Sequence, residues 1–210
     1  MKNVVLIGDS IRAGYDKSVQ KTLDGRANVI FAKDSGRFAA YLLRYLHVFL
    51  ESPNGEEIDV IHWNAGLWDC LHMFGEDVLT PIDIYKYYIE RICIRMKSLC
   101  PNAKVIFATS TNVLTEKMEE PFKRYNHDIE AYNQAAVEIV KKYGFQVNDL
   151  YALSCTLPEE AHNPDGVHFY TPMGTEALTN QVLSYLLPAL GIEEKLEYRE
   201  QLHTEAPVGI

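Results

Sequence analysis

The sequence predicts an α/β fold: a three-layer α/β/α sandwich around a five-stranded parallel sheet. Two observations carry this expectation. Five short apolar runs, at residues 4–7, 29–32, 58–63, 104–109 and 145–147, are separated by longer stretches whose apolar residues recur at three and four positions. Parallel neighbours need crossovers, and the helices that make them cover both faces of the sheet. With 210 residues and 47% hydrophobic content, the chain can bury one sizeable core and sits at the upper edge of a single domain. We expect that domain over residues 1–190 and a charged tail over 191–210.

Taken in order, the first strand, Val4-Val5-Leu6-Ile7, runs into the small turn Gly8-Asp9-Ser10, after which Ile11 to Gly14 reads as a polar-apolar mixture. Val29 to Ala32 is the second strand. From Gly36 onward, Phe38, Tyr41, Leu42, Tyr45, Leu46 and Phe49 mark one helix face, and Ser52-Pro53-Asn54-Gly55 stops it. The third strand ends at Trp63, just before Asn64. Thr80-Pro81 reads as N-cap and first helical position, because proline lacks only a donor that would be unpaired there. Ile82, Tyr85, Ile89, Ile92, Met96 and Leu99 then form a stripe that Pro101 ends. Lys104 to Thr109 is the fourth strand. A helix from about Ile129 buries Ile129, Tyr132, Ala136, Ile139 and Tyr143, and Gly144 ends it before the fifth strand. Thr171-Pro172 repeats the cap-then-proline start, and the last helix follows through Ala177, Leu178, Val182, Leu186 and Leu187. Residues 115–128 read as the longest loop, a candidate lid or pocket wall. The tail reads as a solvated charged helix at 193–201 and a loose end, Pro207-Val208-Gly209-Ile210.

The chemistry begins at Ser10. A serine hydroxyl is a poor nucleophile until a base takes its proton and donors receive the charge developing on the substrate. Asp165-Gly166-Val167-His168 supplies such a base, since a carboxylate three residues before an imidazole can orient one ring nitrogen and leave the other free. Between them lie Asp34-Ser35-Gly36-Arg37 and Asn64-Ala65-Gly66-Leu67-Trp68-Asp69. These four blocks, in this order and each beside a strand end or the last helix, resemble the SGNH (GDSL) hydrolases, a family of esterases and lipases. The resemblance spans residues 4–187. It implies a flavodoxin-like strand order of 2-1-3-4-5, with the first and third strands adjacent and the ligand outside their C-terminal ends. It also implies a catalytic set of Ser10, Asp165 and His168, with oxyanion donors at the Ser10 and Gly36 amides. The family block reads Gly-x-Asn-Asp where this chain has Gly66-Leu67-Trp68-Asp69, so Asn64 is the side chain expected to supply the missing amide.

The function expected is ester hydrolysis through an acyl-enzyme, with no cofactor and no metal, on a small or carbohydrate-linked ester such as an acetyl ester. Trp68 suits a sugar ring, and Phe74, Met73 and Phe122 suit an acyl pocket; Asp9, Trp68, Phe74 and Phe122 are the candidate pocket residues. Other readings are a lysophospholipase or thioesterase-type acyl hydrolase, a metal-assisted hydrolase using His162, Asp165 and His168, and a non-catalytic binding module. His62, Asp69 and His72 admit a metal reading too, although His62 fits better as a satisfied core residue. Nucleotide-loop and G-x-S-x-G elbow patterns are absent. A formal charge of -9 argues against a nucleic-acid or anionic-membrane partner and is compatible with a small-molecule ester. No apolar run approaches the ~20 residues that span a bilayer, and the residues before the first strand do not form a secretory leader, so a cytoplasmic protein is expected. The four cysteines, Cys70, Cys93, Cys100 and Cys155, are expected as free, buried thiols.

Overall fold

The computed structural model describes residues 1–52 and 55–204, so Pro53, Asn54 and the closing residues 207–210 of the readings above lie outside the described residues. β1 (Lys2–Ile7), β2 (Ala27–Phe31), β3 (Val60–Trp63), β5 (Lys104–Ala108) and β7 (Gln146–Asn148) form one sheet in the order β2-β1-β3-β5-β7, all parallel. Counted among themselves, these strands have the expected order 2-1-3-4-5. Val4 and Val5 of the central strand are fully buried, as an apolar run covered on both faces requires. The register pairs Ile7 with Trp63, and the Asn64 N–H donates to the Ile7 carbonyl at 3.1 Å. The turns that follow β1 and β3 therefore open side by side at one edge of the sheet.

α1 (Ser10–Thr22) packs on α6 (Pro172–Leu190) as one layer; α2 (Ala39–Phe49), α3 (Ile82–Leu99) and α4 (Asn126–Lys142) pack in sequence as the other. The sequence reading missed α1 because its buried face is largely polar: Arg12, Asp16, Ser18 and Thr22 are buried beside Ile11, Tyr15 and Val19. Arg12 pairs with Asp16 one turn on and donates through Nη2 to the Asp34 carbonyl at 3.0 Å, so these buried charges are held by partners a hydropathy pattern does not reveal. Elsewhere the apolar stripes are narrower than expected. Tyr45 and Leu99 are exposed, and Phe38 is the cap residue preceding α2. Thr80 does not cap α3, which starts after Pro81; its hydroxyl instead serves the Asp69 carboxylate. α4 begins at Asn126, three residues before the expected Ile129, and the short helix α5 (Leu150–Ser154) went unread.

Residues 115–128 are not a loop throughout. A 3-10 turn at Thr115–Lys117 leads to β6 (Phe122–Lys123), which pairs antiparallel with β4 (His72–Met73) in a small ribbon. Two-residue strands exist only because the partner is present, so no local pattern announces them. The tail is not a solvated helix either. From residue 193 it runs irregularly along α1, where Arg199 N–H donates to Thr22 Oγ1 at 3.0 Å and Gln201 N–H to Ser18 Oγ at 2.9 Å. All four cysteines are free; Cys70 and Cys93 are buried, whereas Cys155 is exposed. No helix among the described residues is long and apolar enough to cross a membrane.

α6 starts as the sequence predicts, with Thr171 Oγ1 accepting from Gly174 N–H at 3.0 Å. Gly174 has no room for a side chain: a Cβ would meet the Ala161 carbonyl oxygen at 2.4 Å and Phe169 Cβ at 2.9 Å. Gly174→Ala is therefore expected to destabilise the fold by ~1–3 kcal/mol, read as a lower urea midpoint at unchanged m-value; an unchanged midpoint would show that α6 can lift off the 161–169 segment without cost.

Candidate active site

The turn after β1 delivers Ser10 as the first residue of α1. Asp9 is the N-cap, its Oδ1 accepting from the Ile11 N–H at 3.0 Å. Asp9 is fully buried, so it is part of the turn's frame and not of an open substrate pocket. Burial pushes its carboxyl above the ordinary range, while the Asn64 side chain and the Ile11 amide pull it back. The Ser10 amide lies in the first turn of α1, where helix amides lack intrahelical partners and the helix dipole favours negative charge.

The loop before α6 carries the other two groups to the same point. His168 Nε2 stands 2.8 Å from Ser10 Oγ, and His168 Nδ1 stands 2.8 Å from Asp165 Oδ2. The two Asp165 oxygens divide their work. Oδ1 accepts from the Val167 and His168 amides at 2.8 and 2.9 Å, which fixes the loop, while Oδ2 holds the ring. Burial alone would raise the Asp165 carboxyl, but the His168 ring and amide outweigh it and draw it down to about 2. An ionised Asp165 accepts a hydrogen bond from Nδ1–H, which fixes the tautomer and leaves the Nε2 lone pair facing the serine hydroxyl. Such a chain can withdraw the proton from Ser10 and return it to a leaving group.

The expected oxyanion donors fare differently. The Gly36 N–H donates to the Gly8 carbonyl at 2.6 Å, so it is already spent and the expected Gly36 donor is corrected. Gly36 serves instead in close approach: a Cβ there would meet the Gly8 oxygen at 3.0 Å and carbon at 3.1 Å. Asn64 lies against the same turn, with Oδ1 where a Gly8 side chain would stand and the carboxamide beside the Asp9 carboxylate. Asp69, at the end of the Asn64 block, accepts from the Ala39 amide at the start of α2 with both oxygens, at 3.2 and 3.0 Å. Burial pushes its carboxyl up to about 7.

Trp68 is half-buried, as a rim residue would be. Phe74 and Phe122 meet edge-on at 6.2 Å on the β4–β6 ribbon, where Phe74 is 73% exposed with φ 57°. Both His168 nitrogens are engaged within the Ser10–Asp165 chain, and His162 packs its ring on Phe169, so His162, Asp165 and His168 do not face a common centre. Among the described residues no group of three potential ligands could hold a metal ion. His62 is buried between the Tyr15 hydroxyl and the Asn148 amide, and burial lowers its imidazole to about 3. His72 meets Asp128 at 3.0 Å.

Two residues of this region escaped the sequence reading. The Tyr170 hydroxyl donates to the Ser10 carbonyl at 2.7 Å, and its ring packs on His168 at 4.9 Å. Arg124 is buried next to the loop after β3, its Nε donating to the Leu67 carbonyl at 2.6 Å. Position two after the histidine was the only available hint for Tyr170. Arg124 gave none, being one cation in a charged stretch.

No family model and no curated protein matches the sequence. Solved structures do match its fold. A lipase/acylhydrolase from Enterococcus faecalis superposes with a TM-score of 0.71 at 20% identity, covering 96% of this chain and 100% of its own. A GDSL-like lipase from Parabacteroides merdae gives 0.68 at 13% identity, over 91% and 96% of the two chains. An acetyl-xylooligosaccharide esterase from Geobacillus, in a mutant form, gives 0.67 at 17% identity, over 95% and 97%. At these identities the likeness establishes the architecture, and the chain has the α/β/α fold of the GDSL-type lipase, acylhydrolase and acetyl-esterase structures.

Proposed function

We propose that the protein is a serine ester hydrolase working through an acyl-enzyme, with residues 1–190 as the hydrolase domain. One observation carries the reading: His168 Nε2 is 2.8 Å from Ser10 Oγ while its Nδ1 is held by Asp165. Ser10 Oγ attacks the ester carbonyl as its proton passes to His168; collapse of the tetrahedral adduct breaks the bond to the alcohol, which leaves with that proton. Water then repeats the sequence on the acyl-serine and releases the acid. The charge on the carbonyl oxygen is met by the Ser10 amide, the positive end of α1 and the Asn64 carboxamide. Small or carbohydrate-linked esters, acetyl esters among them, are the substrates this reading favours. The half-buried Trp68 indole and the named activities of the structural neighbours support that class.

Ser10→Ala is expected to abolish turnover of a short-chain aryl ester and labelling by a fluorophosphonate, with the circular dichroism spectrum unchanged. Turnover retained in that variant would put the nucleophile elsewhere.

The pH dependence follows from the two protonation states. Asp165, drawn down to about 2, stays ionised through the working range, so the acid-side loss of kcat/KM should follow a single proton taken up by His168. A flat profile between about pH 5 and 8, with a substrate limited by chemistry, would remove His168 as the base.

Because the oxyanion exists only along the reaction path, Asn64→Ala should lower kcat by ~10²–10³-fold with KM little changed. Trp68→Phe should alter KM and spare kcat. The reverse pattern would leave Asn64 as a packing residue over Gly8.

A further inference from the structure

Arg124 poses an electrostatic problem that the hydrolytic reading does not use. Arginine is almost never fully buried without a partner, because taking an ion out of water costs several kcal/mol that only paired charge and hydrogen bonds offset. The two deeply buried arginines of this protein, Arg12 and Arg124, are each 3% exposed and make an instructive contrast. Arg12 is paired with the Asp16 carboxylate and also donates to a carbonyl. Arg124 forms no ion pair among the described residues. Its Nε is taken by the Leu67 carbonyl, whereas Nη1 and Nη2 donate to no acceptor there. The guanidinium is thus hydrogen-bonded along one edge and unpaired along the other.

Its place in the fold gives the open edge a purpose. Leu67 belongs to the segment between Asn64 and Asp69 that leaves β3 beside Ser10, and Arg124 follows β6 directly. The charge acts on Asp9 and Asp165, the carboxylates flanking Ser10 and His168, without reaching ion-pair distance of either. The chain as a whole carries -9 and repels anions. A lone, desolvated fork with unpaired parallel donors is the arrangement that takes a carboxylate with two hydrogen bonds.

We infer that Arg124 is a substrate-binding residue, its Nη1 and Nη2 receiving a carboxylate borne by the ester next to the scissile bond. This rests on the hydrolase reading above and narrows its substrate class from neutral esters to anionic ones.

The test compares matched esters on the full chain. Mono-4-nitrophenyl succinate, with its carboxylate on the acyl side, is set against 4-nitrophenyl pentanoate; 4-acetoxybenzoate, with its carboxylate on the alcohol side, is set against its methyl ester. The wild type should favour one charged ester over its neutral partner by about tenfold or more in kcat/KM, the scale of a charge-assisted contact, and which pair responds identifies the side that carries the carboxylate. Arg124→Gln should erase that preference by raising KM for the charged ester far more than for its neutral partner, and Arg124→Lys should keep part of it. No preference in the wild type, or an equal fall on charged and neutral esters in Arg124→Gln, overturns the inference. A second arm needs neither turnover nor a change at position 124: succinate, against sodium chloride at equal ionic strength, should raise the Tm of Ser10→Ala. Succinate stabilisation without hydrolysis of any ester would defeat the hydrolase reading and leave the carboxylate site standing; hydrolysis without stabilisation or preference would do the opposite.

Discussion

A side chain on Gly8 would meet Asn64 Oδ1 at 1.7 Å, and the rest of the site depends on that space being free. Three segments remote in sequence converge on this one residue. β1 brings Gly8 to the sheet edge, the loop before α2 seats Gly36 against its carbonyl at 2.6 Å, and the loop after β3 lays Asn64 over its Cα. Only backbone can pass so close to backbone, which is why a glycine stands on each side of the contact. The consequence is positional: Ser10, two residues on, is held by the turn and not by its own packing.

Buried charge does much of the remaining alignment. Asp69 reaches across from the β3 loop to the first amide of α2, and Asp9 caps the first turn of α1, so each helix start nearest the site is tied by a carboxylate inside the protein. Both carboxyls are pushed up by the burial that places them there. Asp165 is the exception, since hydrogen bonds from two amides and the imidazole outweigh its burial. Carboxylates within one small region thus differ in protonation because Asp9 and Asp69 are fully buried, whereas Asp165 is partly exposed and paired with the imidazole.

The outer wall of the site is assembled from elements with little stability of their own. The β4–β6 ribbon is two residues on each side, and the tail has no regular structure. They are ordered by what they lean on. Arg124 links the ribbon side to the Leu67 carbonyl, and His203 of the tail packs at 4.7 Å on Tyr170, whose hydroxyl binds the Ser10 carbonyl. Support for the Ser10–His168–Asp165 chain therefore comes in part from the region where local pattern is weakest, while the chain itself comes from turns fixed to the sheet and to α6.

The sequence by itself determined the five strands of the main sheet, the helices α2, α3, α4 and α6, and the choice of Ser10, Asp165 and His168, which the fold brings into one hydrogen-bonded chain. The strand at 4–7 is a continuous apolar run and 58–63 a mainly apolar one, α3 and α6 carry repeats of three and four, and the Gly8-Asp9-Ser10 and Asp165-to-His168 spacings act over one turn, where local geometry suffices. What the tertiary structure decided was everything whose partner is distant in the chain. α1 was hidden because its inward face is polar and is satisfied by Asp34 and the tail. Gly36 lost its expected donor role because Gly8 claims its N–H, Phe74 proved exposed because the ribbon turns it outward, and Arg124 became visible only once burial removed its solvent. A hydrogen-bond donor is free or spent according to what folds against it, and one residue's identity carries no information about that neighbour.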